Sequence, residues 1–193
     1  MKEGTLMSMI KYFEYEFLTD EQKIEFKKNA YKESVEYVQN GQYKKHLDSY
    51  FSSFLSEYWG HTFDMHFNKT NQYLLNRLNK ITDKRVKSAT TFAGFSEEEL
   101  ISLLKGLLMD EDTAYDIAAW MFVYPDQVEW NIIVPANKVV GHGYSKNRYY
   151  QENYKSAPVP CRKVCFVLTR EFVTDGFRIK TAYPVFDGMG YTE

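Results

Sequence analysis

The apolar residues of this chain change their spacing near Pro125, from a helical period to an alternating one, and no single secondary structure satisfies both. From Asp20 to Tyr124 they recur at three and four. Ile24, Tyr31, Val35 and Val38 make one stripe, Tyr43, Leu47, Tyr50, Phe54 and Tyr58 a second, and Leu74, Leu78 and Ile81 a third. Ser96 followed by Glu99 is a capping box opening a helix that carries Leu100, Leu103, Leu104 and Leu107. A further helix with Ile117, Ala118, Met121 and Phe122 must stop before Pro125, whose ring blocks helical continuation. Stripes of this kind are explained by a core and need no ligand.

After Pro125 come the short runs VEWNIIV (Val128–Val134), KVCFVLTREF (Lys163–Phe172) and FRIKTAYPVF (Phe177–Phe186). Their residue types suit strands. The sequence therefore predicts an α+β chain: a helical region over 1–125, about five helices, then a twisted antiparallel β region over 126–193, the two sharing one core or not. The tyrosine-rich connection GHGYSKNRYYQENYKSAPVPC is expected to be a functional loop or a partly helical insertion.

The turn sequence Asp175-Gly176 predicts a two-residue hairpin loop. Counting back from it sets Arg170 opposite Thr181 and Leu168 opposite Tyr183, so that Arg170, Thr181 and Tyr183 share one largely apolar face. On the other face Glu171 meets Lys180, an ordinary cross-strand ion pair. An arginine on such a face needs a counter-charge. Either an acidic side chain of the helical region supplies it, or the sheet end is open and an anionic ligand does. The guanidinium fork and the threonine hydroxyl both suit phosphate oxygens.

Charge distribution favours the anion. The net charge is −2, but residues 1–125 hold 15 basic and 19 acidic side chains, whereas Lys138–Lys180 holds 9 basic and 3 acidic. A basic segment in an acidic chain is either a solvated face or an anion site. Cys161 and Cys165 are the only cysteines, so neither a disulfide framework nor a zinc ribbon is expected. No apolar run is long enough to span a bilayer and no signal peptide is evident, so the expected location is the cytoplasm, without a membrane partner.

The T-A-Y-P ending of the last strand, with Thr181 and Tyr183, resembles the C-terminal strand of the barnase, EndoU, colicin E5/D and RelE (BECR) group of small ribonuclease toxins, including phage-encoded members. That resemblance implies a helical segment before a twisted sheet, and a Thr/Ser-x-Tyr element beside a catalytic histidine and a cation. It implies His142 of VVGHGYSKNR as base or acid, Arg170 as phosphate stabiliser, Thr181 as positioning donor, and Tyr183 as stacking or proton-donating phenol. Cleavage through a 2′,3′-cyclic phosphate uses the substrate's own 2′-hydroxyl as nucleophile, so no metal or other cofactor is implied. EndoU-like members use two histidines, and His142 stands alone in the β region. His61 and His66 of WGHTFDMHF could supply the second; otherwise they are a helix-surface pair, and their spacing of five is not that of a metal site.

With that reading, Tyr144, Lys146, Arg148 and Tyr149, together with Lys180, become a binding surface for tRNA or single-stranded RNA, cations for phosphates and rings for bases. An acidic immunity or antitoxin protein is the expected partner, since an unrestrained ribonuclease harms its host. Two other readings use the same residues. A docking protein would use the tyrosines and arginines as interface anchors. A mono-ADP-ribosyltransferase would need a catalytic glutamate on a late strand, where Glu171 is the one available.

Overall fold

The computed structural model describes residues 14–52, 60–80, 87–152, 157–171 and 176–186. Helices dominate the first half and two antiparallel three-stranded sheets the second, so the chain is α+β as its sequence predicts. The elements are α1 (Asp20–Gln39), α2 (Gln42–Ser52), α3 (Gly60–His66), α4 (Asn71–Lys80), β1 (Ser88–Phe92), α5 (Glu97–Leu108), α6 (Glu111–Val123), β2 (Glu129–Pro135), β3 (Gly141–Ser145), α7 (Lys146–Gln151), β4 (Val159–Cys161), β5 (Lys163–Glu171) and β6 (Gly176–Val185). Among the described residues no helix is long and apolar enough to cross a membrane.

Two compact units share these elements, each assembled from three segments: 1–55, 104–131 and 167–180 in one, 56–103, 132–166 and 181–193 in the other. Strand β1 lies within the first 125 residues and pairs with β3.

In the first unit α1 starts at a capping box in which Thr19 and Gln22 exchange side-chain bonds with each other's backbone N–H. It packs on α6, with the Tyr37 ring 5.3 Å from that of Phe122, and buries Ala30 and Ser34, while Ile24 and Tyr31 of the expected stripe point to solvent. Small side chains let two helices approach closely, and the apolar-stripe reading overlooked that route. Helix α2 buries Tyr43, Leu47 and Phe51; Phe54 and Tyr58 of its predicted stripe lie outside the described residues. Tyr43 donates to the carbonyl of Leu108 at the end of α5 (2.8 Å). His46 Nε2 meets the Phe177 carbonyl (3.1 Å), and the Tyr50 hydroxyl accepts from the Ile179 N–H (3.3 Å), so α2 side chains occupy backbone groups of β6. Covering a strand edge in this way suppresses further pairing.

In the second unit α4 begins at Thr70, whose hydroxyl accepts from the Tyr73 N–H (3.2 Å). Its inner face, Leu74 and Leu78, packs with Ala89 of β1 and Tyr144 of β3. The sheet order is β1-β3-β4, with Thr91 opposite His142 and His142 opposite Pro160. The glycines flanking His142 answer a steric demand, because a Cβ on Gly141 would lie 2.0 Å from the Thr91 carbonyl oxygen and one on Gly143 2.5 Å from that of Ala89. The expected connection is thus two strands and a short helix, and its glycines mark close backbone approach.

The second sheet runs in the order β2-β5-β6. The predicted neighbours β5 and β6 are adjacent, but residues 172–175 lie outside those described and Gly176 already belongs to β6. Burial along β6 changes phase. Phe177 and Ile179 are buried, then Ala182 and Pro184 are, which leaves Thr181 and Tyr183 half-exposed. Strict alternation from the turn, which grouped Thr181 and Tyr183 with Phe177 and Ile179, does not hold through this strand.

Candidate active site

Helix α3 is only seven residues long, and Thr62 and His66, four apart, share its inward face. Neither is exposed by more than 6%. The chain leaving the helix is fastened to β1. Asn68, in the left-handed region at φ 48°, places its N–H on the Phe92 carbonyl (2.9 Å), and Lys69 N–H bonds the Thr91 hydroxyl (2.9 Å). That hydroxyl also reaches the His66 carbonyl (3.3 Å). His66 is therefore held at both its main chain and its ring.

The ring's Nδ1 lies 3.0 Å from the Thr90 carbonyl oxygen. A carbonyl only accepts, so Nδ1 carries the proton and Nε2 presents a lone pair. Burial, then the nearby Arg77 guanidinium, lower the pKa of His66 to about 3 against the opposing pull of the Thr90 bond; His61 and Lys69 add smaller effects. His66 is a neutral imidazole of fixed tautomer at physiological pH.

Tyr183 stacks on this imidazole, with ring centroids 5.3 Å apart and planes at 29°. Burial, followed by interaction with the Cys165 thiol, pushes the Tyr183 pKa up, so the phenol keeps its proton. Two residues earlier on β6, Thr181 Oγ1 lies 3.2 Å from Thr62 Oγ1, and Thr62 also accepts the Ala182 N–H (2.8 Å). The exposed His61 ring lies 5.5 Å from that of His66.

The cation of this group comes from α4. Because Leu74 and Leu78 face the sheet, Tyr73 and Arg77, each one position earlier, turn toward α3: the Tyr73 hydroxyl reaches Met65 Sδ (3.3 Å) and Arg77 Nη1 donates to the Met65 carbonyl (3.3 Å). That is the one hydrogen bond of Arg77 among the described residues, and no carboxylate pairs with it there. Its desolvation lowers its pKa, as burial of an unpaired cation must. Lys69 sits over the Tyr73 ring at 5.7 Å. A fixed neutral base, a half-buried guanidinium with donors to spare, a hydroxyl and a protonated phenol are thus gathered in one unit.

Of the residues singled out from the sequence, Thr181 and Tyr183 stand in this group and the others do not touch it. His142 Nε2 faces Asn71 Oδ1 (3.0 Å), so His142 holds the first residue of α4. Burial lowers its pKa as well. Arg170 belongs to the other unit, where its two terminal nitrogens donate to the carbonyls of Met121 (2.5 Å), Trp120 (3.0 Å) and Tyr124 (2.9 Å) and its guanidinium lies 5.3 Å from the Trp120 ring centroid. The last carbonyls of α6 thus accept from this guanidinium and offer it the negative end of the helix. Lys180, in the same unit, pairs with Glu129 (2.5 Å).

The Tyr144 ring is a core group packed on Leu74 and Leu78, which removes it as a stacking platform. Lys146 opens α7, its N–H on the Lys87 carbonyl (2.8 Å), and the exposed Arg148 pairs with Glu152 (2.8 Å). Tyr149 also lies in α7, with its side chain outside those described. His66 and Arg77 were missed for a definite reason. His66 was paired with His61, five away, when its partner on the helix face is Thr62, four away; and Arg77 sits among the outward-looking polar residues of NQYLLNRLNK. Two polar residues at i and i+4 on a short aromatic-rich helix were the available signal.

The α+β fold agrees with the ribonuclease-toxin resemblance carried by Thr181 and Tyr183. The model of the bacterial CdiA-CT RNAse A domain matches residues 60–184, and the chain belongs to that family. Every residue of the group lies within the match. Among solved structures, a chain in the crystal structure of the CdiA-CT/CdiI complex from Y. kristensenii 33638 superposes with a TM-score of 0.50 at 22% identity, over 65% of this chain and 99% of that one. No curated protein matches.

Proposed function

We propose that this domain is a metal-independent endoribonuclease that cleaves tRNA or single-stranded RNA, leaving a 2′,3′-cyclic phosphate and a 5′-hydroxyl. The observation that carries the reading is the Arg77 guanidinium, paired with no carboxylate among the described residues, beside the neutral, tautomerically fixed His66 that stacks on Tyr183. His66 Nε2 takes the proton of the 2′-hydroxyl. The 2′-oxygen then attacks phosphorus, and Arg77 and the Thr181 hydroxyl stabilise the charge that accumulates on the non-bridging oxygens. Tyr183, kept protonated, gives its proton to the departing 5′-oxygen.

A pKa near 3 makes a weak base in the empty site, but substrate changes it. Burial, the main cause, persists in the complex, but the arriving phosphate offsets the Arg77 and Lys69 charges that add to it, which moves the His66 pKa upward. His66 takes the base role first assigned to His142, and His142 positions α4 and with it Arg77. Lys69, Lys146 and Arg148 supply charge for the rest of the strand.

The same cationic site suits an acidic immunity protein, and the similar solved structure is a complex of a CdiA-CT with a CdiI. The test is incubation of the purified protein with total tRNA and single-stranded RNA in EDTA, followed by analysis of the new ends. Cyclic phosphates in EDTA support the reading. Cleavage that EDTA abolishes and a divalent ion restores overturns it.

A further inference from the structure

We infer that Thr62 is a positioning residue that fixes the direction of the Thr181 hydroxyl, so that Thr181 acts as a donor toward a phosphate oxygen. The inference rests on the ribonuclease reading for its purpose, and on hydrogen-bond geometry for its content. Thr62 Oγ1 has one proton and two lone pairs. One lone pair takes the Ala182 N–H at 2.8 Å. The residue is wholly buried, so its proton must find a protein acceptor. Among the described residues the acceptor within reach is Thr181 Oγ1, at 3.2 Å.

The opposite arrangement, Thr181 donating to Thr62, would leave the Thr62 proton buried without a partner among the described residues. Thr181, by contrast, is half-exposed and can direct its own proton outward at no such cost. The favoured chain therefore runs Ala182 N–H to Thr62, Thr62 O–H to Thr181, and Thr181 O–H to whatever lies outside. Its outward end is a donor, which matches an anionic oxygen and would repel none. The same bond to Ala182 fixes the β6 backbone between Thr181 and Tyr183, so one side chain of α3 sets two features of the site.

The test compares Thr62→Val, which keeps the shape and loses the hydroxyl, with Thr62→Ser, which keeps the hydroxyl, in the full chain. Two readouts are used: kcat and KM on an RNA oligonucleotide, and affinity for cytidine 3′-monophosphate by calorimetry. Thr62→Val should lower kcat/KM about three- to tenfold, the scale of one hydrogen bond, and Thr62→Ser should restore it. In a Thr181→Val background the Thr62→Val effect should shrink, because the route through the Thr181 hydroxyl is gone and only the hold on the Ala182 N–H remains. Thermal unfolding of each variant separates this from loss of fold.

Equal nucleotide affinity for wild type and Thr62→Val overturns the inference, as does an undiminished Thr62→Val effect in the Thr181→Val background. Wild-type protein that binds the nucleotide but cuts no RNA overturns the ribonuclease reading alone, and the Thr62→Val affinity then still decides this one. Wild-type protein that neither binds nor cuts overturns both.

Discussion

Lowering the pH should destabilise this domain through His66. In the unfolded chain the imidazole has its ordinary pKa of 6.5, and in the fold about 3. Between those values the unfolded state binds a proton that the folded state refuses, so stability falls as pH falls through that window and is unaffected by His66 above it. By pH 4.5 the loss, at ~1.36 kcal/mol per unit below the unfolded value, is about 2–3 kcal/mol. Other titrating groups add their own pH dependence, so the measurement is a difference between two proteins. His66→Asn keeps an N–H where Nδ1 donates to Thr90 and removes the titration. Urea unfolding of wild type and His66→Asn at pH 7.0 and 4.5 should show wild type losing about 2–3 kcal/mol more than the variant, a midpoint shift of roughly 1 M. If both proteins lose the same amount, His66 is not the buried neutral imidazole on which the site depends.

Three further outcomes follow from the same geometry. Arg77→Ala should reduce kcat/KM about a hundredfold or more by removing the stabilising cation; it should also raise the His66 pKa, which NMR titration of the imidazole reads directly. Arg170→Ala should destabilise the domain by about 2–3 kcal/mol, because the carbonyls at the end of α6 lose a charged donor, while the kcat of folded protein stays within about twofold of wild type; chemical denaturation and single-turnover kinetics check the two halves. Gly141→Ala should cost about 2–4 kcal/mol or prevent folding, since its Cβ would overlap the Thr91 carbonyl, and Gly106→Ala, where nothing lies within 4 Å, should be tolerated; thermal melts compare them.

The parts of this molecule legible in its sequence are those that local rules control. Pro125 stops α6, the Ser96–Glu99 box starts α5, and the Leu74 and Leu78 face is buried as the spacing requires. Thr181 and Tyr183 were legible as chemistry because a strand alternating two polar groups with Ala182 and Pro184 is not simple core. What was illegible was tertiary. Strand β1, SATTF, carries no long apolar run, and β3 needs glycines that ordinarily argue against a strand; both exist because two backbones approach closely. The hold of the α6 carbonyls on Arg170 is announced by no residue code. His66 looked like a surface residue because its burial depends on how a seven-residue helix is tied to β1 through Thr91.

The central claim is that His66 supplies the base, and cleavage of one defined RNA oligonucleotide under single-turnover conditions in EDTA tests it most directly. With His66→Asn the rate should fall about a thousandfold, within the range for loss of a general base, whereas His142→Asn, which disturbs only the hold on α4, should keep the rate within about tenfold of wild type. Near-normal cleavage by His66→Asn, or a loss confined to His142→Asn, would contradict the assignment and return the base to β3.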